Sequence, residues 1–123
     1  EGIPAQLGVT CNEVTLEALG ETNVDEFHIG GGDATMHLLE KLNIEPSDRL
    51  LDIGCGLGGP ARRCASKHGC SVTGVDMTKE FVDVGNAINS FSKIQDELQS
   101  RVQLICGNAL QMASLIPSGS IDK

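Results

Sequence analysis

The sequence has no tryptophan and no tyrosine, and three phenylalanines bring its aromatic content to only 2%. That argues against a platform that stacks the bases of single-stranded nucleic acid. Positive charge is also scarce. Nine lysines and arginines face seventeen acidic residues, for a net charge of −8 and an isoelectric point near 4.7. Phosphate backbones are repelled by such a chain, so no nucleic-acid partner is expected. No apolar run approaches the ~20 residues needed to cross a bilayer. A soluble, cytoplasmic chain without a membrane partner is the expectation. Five cysteines (11, 55, 64, 70 and 106) form no C-x-x-C pair, and only three scattered histidines accompany them. This is neither a zinc pattern nor a disulfide framework. The cysteines read mostly as small buried residues in a reducing compartment, and no metal is expected. The chain opens Glu1-Gly2-Ile3, without Met or a signal peptide, which reads as a piece of a longer protein.

What is present is an alternation of apolar strands and helical patterns. A first helix is expected over residues 12–19, stopped by Gly20. The glycine-rich loop 27–32 follows, with Asp33 as the N-cap of a helix carrying Met36, Leu39 and Leu42 on its apolar face. Residues 45–48 read as a turn. Residues 49–53 read as a short, fully buried strand. A helix over 60–67 begins with Pro60 and stops before Gly69. A second strand over 70–75 ends in Asp76. Thr78 is expected to cap a helix whose apolar face is Phe81, Val84, Ile88 and Phe91. Residues 92–100 read as a polar connection, helical or irregular, 101–106 as a third strand, and 112–116 as a helical turn. After a turn at 117–120, residues 121–123 read as the start of a fourth strand. The fold class is therefore α/β: a Rossmann-like parallel sheet with flanking helices, preceded by N-terminal helices and stopping at about the fourth strand. The chain divides into a helical segment with its glycine-rich loop (1–48) and an incomplete cofactor-binding core (49–123). An open sheet edge at the first strand invites self-association.

In open parallel sheets, ligands bind beyond the carboxyl ends of the strands. Three such ends here carry suitable residues. Leu51-Asp52-Ile53-Gly54-Cys55-Gly56-Leu57-Gly58-Gly59 ends strand one, Asp76-Met77 ends strand two, and Gly107-Asn108-Ala109 ends strand three. Glycines let a backbone approach a ligand, and the helix that Pro60 opens offers free N–H groups. Asp76 lies 17 residues after Gly59, near the interval at which a carboxylate meets ribose hydroxyls. Met77 is placed to lie against a base, and Asn108 has both donors and an acceptor with which to read a base edge. The run Gly54-x-Gly56-x-x-Gly59 also satisfies the dinucleotide pattern, so a nicotinamide-dependent oxidoreductase is an alternative. Asp52 tilts against it, because a carboxylate before the first glycine suits a cationic cofactor better than a pyrophosphate.

These motifs resemble those of the class I S-adenosylmethionine-dependent methyltransferases. The Leu51–Gly59 run is similar to that family's first motif, Val72-Thr73-Gly74-Val75-Asp76 to its ribose-binding strand end, and Cys106-Gly107-Asn108-Ala109 to its adenine-contacting G-D-A segment, with Asn in place of Asp. Phe27-His28-Ile29-Gly30-Gly31-Gly32, taken with Gly58-Gly59-Pro60-Ala61-Arg62, resembles small-molecule N-methyltransferases that act on glycine derivatives or phosphoethanolamine. The resemblance implies S-adenosylmethionine as cofactor and a small-molecule acceptor, an amine among the candidates. It implies that Asp52, Gly54, Cys55, Gly56 and Gly58 hold the methionine part, Asp76 the ribose, and Met77, Asn108 and Ala109 the adenine. The loop 28–32 would close over the methyl side.

Blander readings stand beside these. Asp76 serves equally as a helix N-terminal charge, Asn108 as a turn residue and Met77 as packing. His28 is a weak candidate for a general base, since a lone loop histidine is more often polar surface. His37 and His68 read as helix-surface residues. Cys55 has no neighbouring base or cation in sequence and reads as non-nucleophilic. A remnant that binds cofactor without catalysis is the third reading.

Overall fold

The computed structural model describes residues 3–7, 9–22, 25–26 and 31–123. Three parallel strands, β1 (Arg49–Ile53), β2 (Ser71–Asp76) and β3 (Val102–Cys106), lie side by side in sequence order. Arg49 is paired with Ser71, and Val72 with Val102, so the three carboxyl ends fall together. Helix α4 (Gly59–His68) connects β1 to β2, and α5 (Lys79–Asn89) with α6 (Ser92–Leu98) connects β2 to β3. Right-handed crossovers advancing in one direction put these helices on one face of the sheet. Before the sheet come α1 (Ile3–Leu7), a 3-10 turn (Cys11–Glu13), α2 (Leu16–Thr22) and α3 (Gly31–Lys41). Val14, Leu19 and Leu39 of this leading segment share one core with Leu50, Cys64, Val72 and Leu104. No described helix is long and apolar enough to cross a membrane.

Several expected boundaries move for identifiable reasons. The first helix splits because two threonines each cap a start. Thr10 and Glu13 form a capping box, and the Thr15 hydroxyl accepts from the Ala18 N–H at 3.1 Å. Gly20 lies inside α2 instead of ending it. The Arg63 guanidinium packs over it, 3.3 Å from where a side chain would begin. Asp33 is the third residue of α3, not its cap; the helix opens two residues earlier at Gly31, whose φ is +50°. There the carboxylate favours the positive end of the helix dipole. Thr78 precedes α5 but makes no side-chain cap; its own N–H is held by Asp76. Residues 92–100, expected as a polar connection either helical or irregular, include the helix α6, which buries Ile94 and Leu98 almost completely.

Strand β1 is not fully buried. Leu50 faces the helices, whereas Ile53 is 59% exposed on the opposite side of the sheet. Residues 121–123 form no regular strand, yet they lie along the free edge of β1 in parallel fashion. Leu51 N–H donates to the Lys123 carbonyl at 2.9 Å, and Asp122 N–H to the Arg49 carbonyl at 2.7 Å. The expected fourth strand is thus present as its first hydrogen bonds.

The inward face of α5 is Val82, Gly85 and Ile88, whereas Phe81 and Val84 are exposed. Gly85 sets this rotation. A methyl group there would sit 2.5 Å from Leu104 Cδ1 and 2.6 Å from the Leu57 carbonyl oxygen, so only glycine lets α5 lie this close to the loop after β1. In an ordinary helix interior, Gly→Ala is stabilising by about 1 kcal/mol. Here Gly85→Ala reverses sign and destabilises the fold by about 1–3 kcal/mol, as overpacking does; urea denaturation of the two proteins measures the difference.

Candidate functional site

The three strand ends are stitched together by backbone bonds. Gly54 N–H and Cys55 N–H both donate to the Val75 carbonyl, at 2.7 and 3.1 Å, and Gly107 N–H donates to the Asp76 carbonyl at 3.0 Å. Asp76 is the junction. Its Oδ2 accepts from Gly56 N–H at 2.9 Å and its Oδ1 from Thr78 N–H at 2.8 Å. One carboxylate therefore holds the loop after β1 to the start of α5. Burial alone would raise the Asp76 carboxyl, but the amide donors of Thr78 and Gly56, together with the Thr78 hydroxyl, outweigh it and hold the group below the ordinary carboxylate range.

The glycines of the loop divide into two kinds. Gly54 (φ +76°) and Gly56 (φ +56°) have left-handed backbones and face open space, with nothing within 4 Å of where a side chain would begin. Packing does not demand their smallness, and the opening beside them is where a ligand would approach. Gly58 and Gly59 turn inward. A side chain at Gly58 would meet Leu104 at 2.8 Å, and one at Gly59 would meet the Asp25 carbonyl at 2.5 Å. Gly58, expected to touch a ligand, thus sits buried, and its N–H is taken by the Cys55 carbonyl at 2.9 Å.

The remaining candidates lie at or beside the same end of the sheet. Met77 is 71% exposed beyond β2, and Leu110, which sequence reasoning missed, is 92% exposed beyond β3. An isolated leucine in a polar stretch has no periodic signal to mark it. Asn108 uses its Oδ1 to cap the 3-10 turn Ala109–Ser114, accepting from Leu110 N–H at 2.9 Å. Its turn role is therefore real, and Ala109 follows it half-buried. Asp52, half-buried, and Gly54 rim a largely apolar cavity of about 340 Å³ between α3, β1 and α4. His28 and the loop 27–30 lie outside the described residues. His37 is exposed, while His68 is half-buried, with its Nε2 shielded from solvent.

The cysteines are mostly buried, as expected. Cys55, Cys64 and Cys70 are buried, whereas Cys11 and Cys106 are exposed. Burial, with Asp52 and Asp76 nearby, pushes the Cys55 thiol up to about 12. Burial and the Cys70 thiol, 3.5 Å away, push Cys64 up as well. Thiols held protonated are poor nucleophiles. Among the described residues no acidic, cysteine or histidine cluster is arranged to hold a metal.

This chain resembles known proteins over most of its length. Residues 24–107 match the family model described as mycolic acid cyclopropane synthetase. A 24-methylenesterol C-methyltransferase 2 from Oryza sativa subsp. japonica is 39% identical over 71 residues, covering 58% of this chain and 18% of that protein. Phosphoethanolamine N-methyltransferase 1 of Zea mays is 43% identical over 53 residues, covering 43% of this chain and 11% of that protein. The chain thus spans under a fifth of these curated relatives. Among solved structures, the geranyl diphosphate C-methyltransferase of Streptomyces coelicolor A3(2), in complex with Mg2+, geranyl diphosphate and S-adenosyl-L-homocysteine, is 26% identical. It superposes with a TM-score of 0.62 over 83% of this chain and 37% of that one.

Two measurements test the site. Because the folded Asp76 carboxyl lies below its unfolded value, it stabilises the fold above the unfolded carboxylate pKa of about 4, and that contribution fades as pH falls through it. Urea denaturation from about pH 6 down to pH 3 will show a shallower loss of stability in Asp76→Asn than in the parent; equal slopes would contradict the assignment. Iodoacetamide added to the native protein will label Cys11 and Cys106 and spare the other three cysteines, as peptide mass spectrometry will show.

Proposed function

The chain belongs to the mycolic acid cyclopropane synthetase family, and from that premise we propose that it forms the S-adenosylmethionine-binding part of an enzyme that methylates a small molecule. The observation that carries this reading is the Asp76 junction. A carboxylate at the end of β2 faces the same opening as two glycines, 54 and 56, whose only requirement is backbone freedom. Asp76 would accept the ribose hydroxyls with the lone pairs that Gly56 and Thr78 leave over. Met77, Asn108 and Ala109 would border the adenine, with Leu110 beside them. Asp52, Gly54, Cys55, Gly56 and the buried Gly58 would shape the space for the methionine part, Asp52 supplying negative charge toward a cationic cofactor.

When bound, that cofactor supplies a methyl group made electrophilic by its sulfonium. The protein's share is orientation, which aligns acceptor and methyl in line and converts an encounter into an intramolecular step. The relatives named above include both N- and C-methyltransferases, so the acceptor is proposed as a small molecule, with an amine as one class. The activity would belong to a protein of the relatives' length, in which residues 49–123 form the cofactor half-site and the leading segment packs against them through Val14, Leu19 and Leu39. A cytoplasmic location and self-association through the β1 edge remain part of this proposal.

Calorimetric titration with S-adenosylhomocysteine, with NAD as control, tests it. Saturable binding of the first alone is expected, weakened about 10- to 100-fold in Asp76→Ala, the loss of one or two charge-assisted hydrogen bonds. Preference for NAD would favour an oxidoreductase. Binding of neither ligand by a folded chain would overturn the proposal.

A further inference from the structure

The first turn of α4 carries an arginine with almost no access to water. The Arg62 side chain is 1% exposed, and its guanidinium is bonded in four directions. Nη2 donates to Asp25 Oδ2 at 2.9 Å and to the Leu57 carbonyl at 2.8 Å. Nη1 donates to Asn89 Oδ1 at 2.9 Å and to the Gly85 carbonyl at 3.3 Å. Asp25 is itself 95% buried, with a relative exposure of 5%. Beside it, Glu26 accepts from Arg63 Nη2 and from the Thr35 hydroxyl, which fixes the 25–26 segment to α4 and α3.

As a stabilising device this pair is poor. Two charges leave water to form it, and among the described residues Asp25 Oδ1 and Arg62 Nε are buried without a partner. What it supplies is direction. Leu57 stands between Gly56, whose N–H is held by Asp76, and Gly58, whose N–H is held by Cys55. Its carbonyl points inward, away from the open face of the loop, and the fork of Arg62 is what receives it. Nη2 carries both bonds, one to Asp25 Oδ2 and one to the Leu57 carbonyl, so on a planar guanidinium the position of Asp25 sets the direction from which Leu57 is held.

We propose that Asp25 and Arg62 are positioning residues for the cofactor loop: the pair holds the Leu57 carbonyl inward and so presets Gly54 and Gly56 for ligand before any ligand arrives. This rests on the proposed function only for the identity of the ligand. Preorganisation of this kind lowers the ordering cost of binding. It links the segment before the N-terminal glycines to the loop after β1 through a single buried group, although neither Asp25 nor Arg62 reaches the opening.

Two measurements on Asp25→Asn and Arg62→Lys separate positioning from bulk stability, with Ile94→Val as a control of the core away from the loop. The first is hydrogen exchange of the Gly56 and Gly58 amides in ligand-free protein. Exchange at least ~10-fold faster in both variants, and unchanged in Ile94→Val, is the expected result; exchange equal to the parent overturns the inference whatever the ligand does. The second is S-adenosylhomocysteine affinity at a temperature where circular dichroism shows every variant fully folded. There global stability does not enter the dissociation constant. Both variants should bind ~10-fold more weakly than the parent. Parent-like affinity in them overturns the positioning role and leaves the proposed function standing. A parent that fails to bind sinks the proposed function, and the exchange result alone then decides the inference. Should Arg62→Lys fail to fold, Asp25→Asn keeps both measurements interpretable, because it removes the charge that orients the guanidinium while keeping the size of the side chain.

Discussion

The arrangement at the open end of the sheet depends on how closely α5 approaches the loop after β1. Gly85 permits that approach, and Leu104 fills the space between. Once the helix lies there, its backbone carbonyl and Asn89 come within reach of Arg62, and the loop carbonyl of Leu57 joins the same group. On the outer side, Asp76 ties Gly56 to the start of the same helix. The loop is therefore gripped from both sides, by a cation within and a carboxylate at the rim. Its two outward glycines are free of packing duties because their inward neighbours, Gly58 and Gly59, carry them.

Charge is distributed with similar economy. The chain is strongly acidic, yet two of its few arginines stand on the first turns of α4, facing the only two carboxylates that are buried among the described residues, Asp25 and Glu26. Low dielectric strengthens both the bonds made and the penalty for any that are missing. Exposed pairs such as Lys79 with Asp83 contribute little by comparison. The buried pairs thus join the N-terminal segment to the Rossmann-like core more specifically than apolar packing alone would.

Much of this was legible in the residues themselves. β1 is apolar and bounded by turn residues, and the structure places it at the expected 49–53. Pro60 and Gly69 bracket α4 because one presets a helical φ and the other tolerates φ of +71° after the last turn. The grouping of Asp52, Asp76 and Asn108 at one end follows from parallel strands alone. What was hidden had no local signal. The face of α5 differs from the expected one because Gly85, which has no side chain to mark it as apolar, is the residue that lies against Leu104 and Leu57. The role of Arg62 was hidden because a charged residue on a short helix reads as surface, and its acceptors lie 5, 23, 27 and 37 residues away in sequence. Such partners are set by tertiary structure, and periodicity does not reveal them.

The short run beside β1 has a kinetic consequence. Its bonds join residues 73 positions apart, with Arg49 binding Asp122 through both backbone and side chain, and Lys123 reaching Asp48. β1–α4–β2 and β2–α5–β3 close far shorter loops, so their entropic cost is met earlier. Residues 121–123 dock onto an edge that those units have already built. Strand β1 gains its inner neighbour, β2, from a short local unit and its outer one only from residues more than seventy positions further along the chain, so of its two edges the outer is the costlier to close.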